Sequence, residues 1–124
     1  PKFIILHKHK YKYHTQKHNN ILEYKYRDQY IIVKIKNINA DIDTIHILNS
    51  KRNKKHTNDI GLTKINGLIP YSIIQYNKVD MLLMEKYDTD LYDIKYLTHK
   101  ILQKIMIDLV TTLIELKKNN LYYI

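Results

Sequence analysis

The run "VDMLLMEKYDTDLYDI", residues 79–94, constrains the fold of this 124-residue chain more than any other stretch. Its first part, "VDMLLM", is a short apolar run of the kind that forms a buried β-strand. Glu85 ends this run, and the polar sequence that follows contains neither glycine nor proline, the residues on which many tight turns depend. A helix is predicted to begin shortly afterwards. The chain must therefore leave a buried strand without an obvious turn.

Alternating apolar and polar residues predict two neighbouring strands earlier in the chain. They are "ILEYKY" at residues 21–26 and "YIIVKIK" at residues 30–36. The polar connection at residues 27–29 separates them, although it lacks the usual glycine, so we expect a β-hairpin. "FIIL" at residues 3–6 predicts a further strand, whereas the polar, basic residues 8–20 are expected to form a strand end and a loop.

A second hairpin is predicted to end with the first part of the run at residues 79–94. "YSIIQY" and "VDMLLM" are strand-like segments separated by Asn77 and Lys78 alone. Between the two hairpins, "NDIGLTKIN" at residues 58–66 predicts a short helix with Asn58 as its N-cap and Gly67 at its end. "IDTIHILNS", residues 42–50, fits a helical turn or two.

The last third of the chain predicts a long amphipathic helix. From Ile101 to Leu116, apolar residues recur at the i, i+3, i+4, i+7 spacing of one helix face. Thr98 is a suitable N-cap, and Asn119 and Asn120 suit the left-handed exit of a helix. The predicted fold class is therefore α+β, with an antiparallel sheet that precedes a long helix.

Composition narrows the classes of partner and location. The net charge is +9, which is compatible with nucleic acid, an anionic membrane or an acidic partner. The charge is spread along the chain, however, and its denser runs at 8–17 and 51–56 lack the interleaved aromatics and glycines of a nucleic-acid module. A basic nucleic-acid-associated α+β domain is therefore a minor alternative.

The absence of cysteine excludes a disulfide framework and any thiolate metal site, and fits a reducing, cytoplasmic location. No apolar run approaches the roughly 20 residues of a membrane span, so no membrane partner is expected. The chain starts with Pro1 instead of Met and stops within the apolar phrase "NNLYYI". We expect both ends to be cut from a longer protein.

The segment "LLMEKYDTDLYDI", placed after strands and before a long helix, resembles the eukaryotic-type Ser/Thr protein kinase family. Met84 matches the gatekeeper at the end of the fifth strand, Glu85 the residue after it, and Lys86 and Tyr87 the hinge between the lobes. A hinge is an extended linker and needs no tight turn. The resemblance implies that adenine uses the hinge's backbone groups and that Asp90 contacts the ribose.

This resemblance covers most of the chain and implies its division into parts. Residues 1–84 would be the small lobe, an antiparallel sheet with one helix. Residues 85–89 would be the hinge, and residues 90–124 the start of the large lobe. The partners implied are ATP with Mg²⁺ and a protein substrate that accepts the γ-phosphoryl group on Ser or Thr.

"YIIVKIK" resembles the third kinase strand with its A-x-K pattern. Lys34 would then contact the α- and β-phosphates, and Lys36 is a competing candidate for the lysine. Ile32 stands where alanine is usual, and its larger side chain would crowd the adenine. The family pairs this lysine with a glutamate on the next helix, but no glutamate lies in the right window. Asp59 is the best positional match for the ion pair.

Two departures separate the chain from the family pattern. "YKYHTQKHNN" stands in place of the glycine-rich loop, so phosphates would meet Lys12, His14 or Lys17 instead. At the other end, Tyr123 and Ile124 match the His and Arg that precede the catalytic Asp, which is expected just after Ile124.

No catalytic or metal-ligating residue is therefore expected within the chain. As given it should be inactive, whereas the intact parent would be a protein kinase. The alternative is a pseudokinase or truncated kinase mimic that acts as a binding module. The abundance of Ile, Lys, Asn and Tyr is the bias that an AT-rich coding sequence produces. This bias and the unusual residues just before the expected catalytic Asp resemble divergent kinases of large DNA viruses.

Overall fold

A computed structural model describes residues 1–50, 54–65, 70–87 and 95–121 of the chain. These residues form an α+β structure, as predicted, and separate into two units, Pro1–Lys86 and Tyr87–Ile124. The elements in chain order are β1 (Phe3–Leu6), β2 (His9–His18), β3 (Ile21–Tyr26), β4 (Gln29–Lys34), α1 (Asn39–Ser50), β5 (Lys55–Thr57), β6 (Thr63–Ile65), β7 (Tyr71–Tyr76), β8 (Val79–Glu85) and α2 (His99–Lys118).

The sheet has the strand order β1-β2-β3-β4-β8-β7-β6-β5, and neighbouring strands are antiparallel. The chain leaves the sheet after β4, forms α1, β5, β6 and β7, and returns as β8 beside β4. In the register of this pair, Ile32 lies opposite Met84 and Lys34 lies opposite Leu82. The strand that carries Lys34 is therefore hydrogen-bonded directly to the strand that ends at Glu85.

The hairpins are made by two-residue turns without glycine. The turn residues His7 (φ 50°) and Lys8 (φ 69°) join β1 to β2, and Asn77 (φ 49°) and Lys78 (φ 64°) join β7 to β8. Two successive residues with positive φ are the mark of a type I′ turn, whose twist matches that of the strands. The predicted hairpin of β7 and β8 is confirmed, whereas the hairpin of β1 and β2 was not predicted.

The connection between β3 and β4 is shorter than predicted. Tyr26 pairs with Gln29, which leaves Arg27 and Asp28 as the turn, and Arg27 has a φ of 53°. Gln29, assigned to the connection from the sequence, belongs to β4.

The prediction of a loop over residues 8–20 was wrong, because β2 is a ten-residue strand. Its backbone is paired on both sides, with β1 and with β3. Its polar side chains are largely exposed, whereas Tyr11 is fully buried and its hydroxyl donates to Gln29 Oε1 at 3.1 Å. Alternation of lysine with tyrosine over residues 10–13 was the signal for a strand.

The short helix predicted at residues 58–66 was also wrong over the residues described. Asn58 Oδ1 accepts hydrogen bonds from the backbone N–H groups of Ile60, Gly61 and Leu62 at 3.1, 3.1 and 2.9 Å, which closes a turn. Gly61 has φ +102°, a conformation that glycine adopts without the steric cost of a side chain. The chain then enters β6. Gly67 lies outside the described residues.

The helix that precedes β5 is α1, and it is longer than the turn or two predicted there. Ile42, Ile45 and Leu48 are its buried residues, at the spacing of one helix face. Tyr71 on β7 ties the helix to the sheet, since its hydroxyl donates to Asn49 Oδ1 at 2.6 Å.

The hydrophobic core covers one face of the sheet in the first unit. Fully buried side chains from four strands and one turn meet there; they include Tyr11, Tyr24, Ile31, Val33, Leu62 and Leu83. Ile31 and Val33 alternate with Ile32 and Lys34 along β4, which places Ile32 and Lys34 on the opposite face.

The long helix α2 begins and ends as predicted. Thr98 Oγ1 accepts from the backbone N–H of Ile101 at 3.2 Å. At the other end, Asn120 has φ 59°, and the N–H of Leu121 donates to the carbonyl of Leu116 at 2.9 Å, which forms a Schellman motif. Many apolar residues of this helix are 43–58% exposed. Among the described residues, neither helix is long and apolar enough to cross a membrane.

Val33→Ala should lower the free energy of unfolding by about 2 kcal/mol, because it removes buried methyl groups and leaves a cavity opposite Leu83. The matched control is Val79→Ala at a side chain that is 52% exposed, for which we expect a change within about 0.5 kcal/mol. Urea denaturation of both variants measures the difference. Equal losses for the two variants would contradict the assignment of the core face.

Candidate anion-binding site

An open cavity of about 570 Å³ lies where the ends of β2, β3 and β4 meet. Its basic lining residues are Lys17, His18, Lys34 and Lys36. Three asparagines and the apolar Ile21 complete the wall; the asparagines are Asn19, Asn20 and Asn37. Among the residues that the structure describes, no aspartate or glutamate lines this cavity, so the described wall is basic and rich in amide groups.

Strand register explains why residues 17–21 and 34–37 meet. Ile21, the first residue of β3, pairs with Lys34, the last residue of β4. The ladder continues past the strand ends, because the N–H of Ile35 donates to the carbonyl of Asn20 at 3.0 Å. Asn37 then has φ 58°, which turns the chain towards α1. Two turns and three strand ends thus bring lysines from different segments to one opening.

Carboxylates outside the cavity hold two of its lysines. Lys34 Nζ lies 3.6 Å from Asp41 Oδ2, in the first turn of α1. Lys17 Nζ lies 3.6 Å from Glu23 Oε1 on β3. An ammonium steadied on one side by a carboxylate and open on the other side suits a ligand rich in negatively charged oxygens, such as a phosphate.

The sequence-predicted phosphate residues are partly brought together. Lys34 and its competitor Lys36 both line the cavity, as does Lys17. Lys12 and His14 do not line it; Lys12 is opposite Lys25 in the β2–β3 ladder, and His14 contacts Glu23. Both Lys34 and Lys36 therefore remain candidates for the lysine that contacts phosphate.

The carboxylate partner of Lys34 is Asp41, not the predicted Asp59. The prediction placed the helix after the lysine strand at residues 58–66, whereas that helix is α1 at Asn39–Ser50. Asp59 lies in the turn between β5 and β6. Asp41 has a second effect, because a negative charge in the first turn also stabilises the helix dipole.

The residues assigned to the gatekeeper and hinge lie at the end of β8. Met84 and Glu85 are half-buried in the strand, and Lys86 and Tyr87 follow it outside any helix or strand. Asp90, assigned to the ribose, lies outside the described residues, as do Tyr123 and Ile124.

Glu23 is a site residue that the sequence did not indicate. It is only 2% exposed, although it occupies the outward position of the strand pattern. Lys86 Nζ lies 2.7 Å from Oε1, and His14 Nε2 lies 3.8 Å from Oε2. Together with Lys17, these groups surround the carboxylate with basic side chains. The partners come from β2 and from beyond β8, whereas Glu23 is on β3, so no local pattern predicts the cluster.

At neutral pH, Glu23 is a carboxylate and Lys86 is an ammonium ion, so the two form an ion pair. Burial raises the pKa of Glu23, but the hydrogen bond from Lys86 and the charges of Lys17, Lys86 and His14 outweigh it, so the pKa falls below its ordinary 4.5. The hydrogen bond to Glu23 is the main cause that raises the pKa of Lys86 above 10.5. Lys86 Nζ also lies 4.5 Å from the centre of the Tyr30 ring, which favours its cationic form.

The comparisons with protein-family models, with curated proteins and with solved structures find no match to this chain. The chain is therefore assigned to no family, and the site is interpreted from its own geometry.

Because the pKa of Glu23 is lowered in the folded protein, the free energy of unfolding should depend on pH in the acid range. A carboxyl whose pKa is lower in the folded state stabilises the fold above its unfolded pKa, and this stabilisation is lost as pH falls through the folded pKa. We expect the free energy of unfolding to decrease below about pH 4.5, and Glu23→Gln to remove part of that decrease. Urea denaturation between pH 7 and pH 3 measures both slopes.

The control for this experiment is Asp80→Asn, which removes an exposed carboxylate on β8. It should keep more of the wild-type slope than Glu23→Gln does. Parallel acid profiles for wild type and Glu23→Gln would show that the Glu23 cluster does not stabilise the folded state.

Proposed function

We propose that this chain is the nucleotide-binding part of a kinase-like phosphotransferase, a fragment of a Ser/Thr-type protein kinase. One observation carries the proposal: Lys34, at the end of β4, lines a basic cavity and is held by a carboxylate from the next helix. The resemblance assigned the same combination, a strand lysine steadied by a helix carboxylate, to contact with ATP phosphates.

The position of β8 supports the proposal independently of the lysine. The resemblance requires the lysine strand and the strand that enters the hinge to lie close together, although residues 35–78 separate them in the chain. β4 and β8 are direct neighbours in the sheet, with Ile32 opposite Met84. The assigned gatekeeper therefore lies on the same face of the sheet as Lys34, two residues from it along the ladder.

The residues of the cavity have separate roles in this proposal. Lys34 neutralises phosphate charge, and Asp41 orients its ammonium. Lys17 supplies a second cation from the β2 end, where the kinase family uses a glycine-rich loop. Lys36 lies at the same opening and adds to the positive field.

Magnesium, which the resemblance implies, has no ligand set in the described part of the chain. No group of three histidine, aspartate or glutamate side chains converges there. We therefore assign no step to Mg²⁺ at these residues, and none to the transfer of the phosphoryl group.

The second candidate function is a kinase-like binding module without catalysis. It is favoured by the ion pair of Glu23 with Lys86, which places charge on the face where the resemblance expects a purine. The turn at Asn19 and Asn20, which contains no glycine, also departs from a nucleotide-binding loop.

ATP should bind the wild-type chain, and Lys34→Ala should weaken the binding about 10- to 100-fold, because one charge-assisted hydrogen bond to phosphate is lost. Isothermal titration calorimetry at 0.15 M salt measures the dissociation constants. Lys36→Ala, measured in parallel, decides between the two lysines: the larger loss marks the lysine that contacts phosphate.

Lys104→Ala is the matched control, since it removes an exposed lysine from α2 in the other unit. It should leave the dissociation constant unchanged. Wild-type protein that does not bind ATP would refute the nucleotide-binding proposal and favour the binding module. Equal losses for Lys34→Ala and Lys104→Ala would indicate unspecific attraction by net charge.

A further inference from the structure

Glu23, Ile32 and Met84 form a row across three neighbouring strands. Glu23 on β3 lies directly opposite Ile32 on β4, and Ile32 lies directly opposite Met84 on β8. Side chains of directly opposed residues project from the same face of a sheet. The place assigned to a purine, beside Ile32 and Met84, is therefore bordered by a buried carboxylate.

The side chain of Lys86 reaches from beyond β8 to Glu23, at the far end of this row. It follows β8, yet its ammonium reaches Glu23 on β3 at 2.7 Å, and β4 lies between those two strands. The side chain must pass over β4, and the position of Nζ, 4.5 Å from the centre of the Tyr30 ring, fixes the face on which it does so. Tyr30 and Ile32 share that face of β4. A charged side chain thus covers the surface on which a base would stack.

A base that entered this place would have to displace Lys86. Glu23 would then lose its closest cation while it is only 2% exposed. Lys17 and His14 would remain at 3.6 and 3.8 Å, but the shortest of the three contacts would be lost, and weakening the compensation of a buried charge is unfavourable. Neither stacking beside Ile32 nor hydrogen bonds to the backbone of residues 85–87 would place a positive charge beside Glu23 again, so contact with the base contributes little net affinity.

The phosphate end of the site is different. The cavity is open, and Lys17, Lys34 and Lys36 line it, whereas Ile32, Met84 and Lys86 do not. ATP and GTP offer the same phosphate oxygens to these lysines, and inorganic triphosphate offers them with one further ionisable oxygen in place of the ester to ribose.

We propose that this site selects the polyphosphate group and is indifferent to the base, because the Glu23–Lys86 ion pair closes the base side. This inference rests on the proposed nucleotide-binding function and specifies its ligand. ATP, GTP and inorganic triphosphate are ligands of similar affinity, and adenosine is not a ligand.

The experiment is a titration of the full chain with ATP, GTP, inorganic triphosphate and adenosine at 0.15 M salt, a concentration that screens unspecific attraction. We expect dissociation constants within about threefold of each other for the three phosphates, and no heat with adenosine. ATP that binds tenfold or more tightly than both GTP and triphosphate would overturn the inference but support nucleotide binding. No binding by any of the four would refute both.

The double variant Glu23→Gln, Lys86→Met tests the cause of the indifference. It removes both charges together, so no buried carboxylate is left without its cation. ATP should then bind about tenfold more tightly than inorganic triphosphate, because the base gains access to Ile32 and Met84. Circular dichroism establishes that the variant is folded. Similar dissociation constants for ATP and inorganic triphosphate in the folded variant would show that the ion pair does not exclude the base.

Discussion

The backbone pairing of β4 with β8 is the interaction on which the rest of the described structure depends. It joins the half of the sheet formed by β1 to β4 to the half formed by β5 to β8. Buried side chains reinforce the pairing, since Val33 and Leu83 are directly opposite and both are fully buried. The other face of the same ladder carries Ile32, Lys34 and Met84, so core and candidate site share one set of hydrogen bonds.

Local sequence patterns identified the elements whose determinants are local. Alternation predicted β3 with its observed bounds, the strand-like run "YSIIQY" predicted β7, and the N-cap at Thr98 predicted the start of α2. Asn58 shows the limit of such signals. Its side chain caps backbone N–H groups equally well in a helix or in a turn, and the positive φ of Gly61 decides for the turn.

The candidate site was less predictable, because its charges meet through tertiary pairing. Lys34 was identified from its strand, but its partner Asp41 was not, since the position of the helix had been misassigned. The burial of Glu23 depends on a lysine 63 positions later in the chain, Lys86, which only the β4–β8 ladder brings near. Burial of a charged residue in an outward strand position has no signature in a single sequence.

Two electrostatic arrangements lie close to each other in the first unit. Lys17 and Lys34 each lie 3.6 Å from a carboxylate and also line the open cavity, whereas Lys86 lies 2.7 Å from the buried carboxylate of Glu23 and does not line it. The first arrangement leaves ammonium groups accessible to an external anion, and in the second the cation is occupied by Glu23. Ile32 and Lys34 are two residues apart on β4, so the base side and the phosphate side of the proposed site share one strand.

The most direct test of this account locates the ligand on the protein. Backbone ¹⁵N–¹H NMR spectra, recorded during titration with inorganic triphosphate, report which amides respond. The account predicts that the largest shifts fall on residues 17–21 and 34–37, the segments that line the cavity. Largest shifts on α2 or on β1, or no shifts at saturating triphosphate, would contradict it.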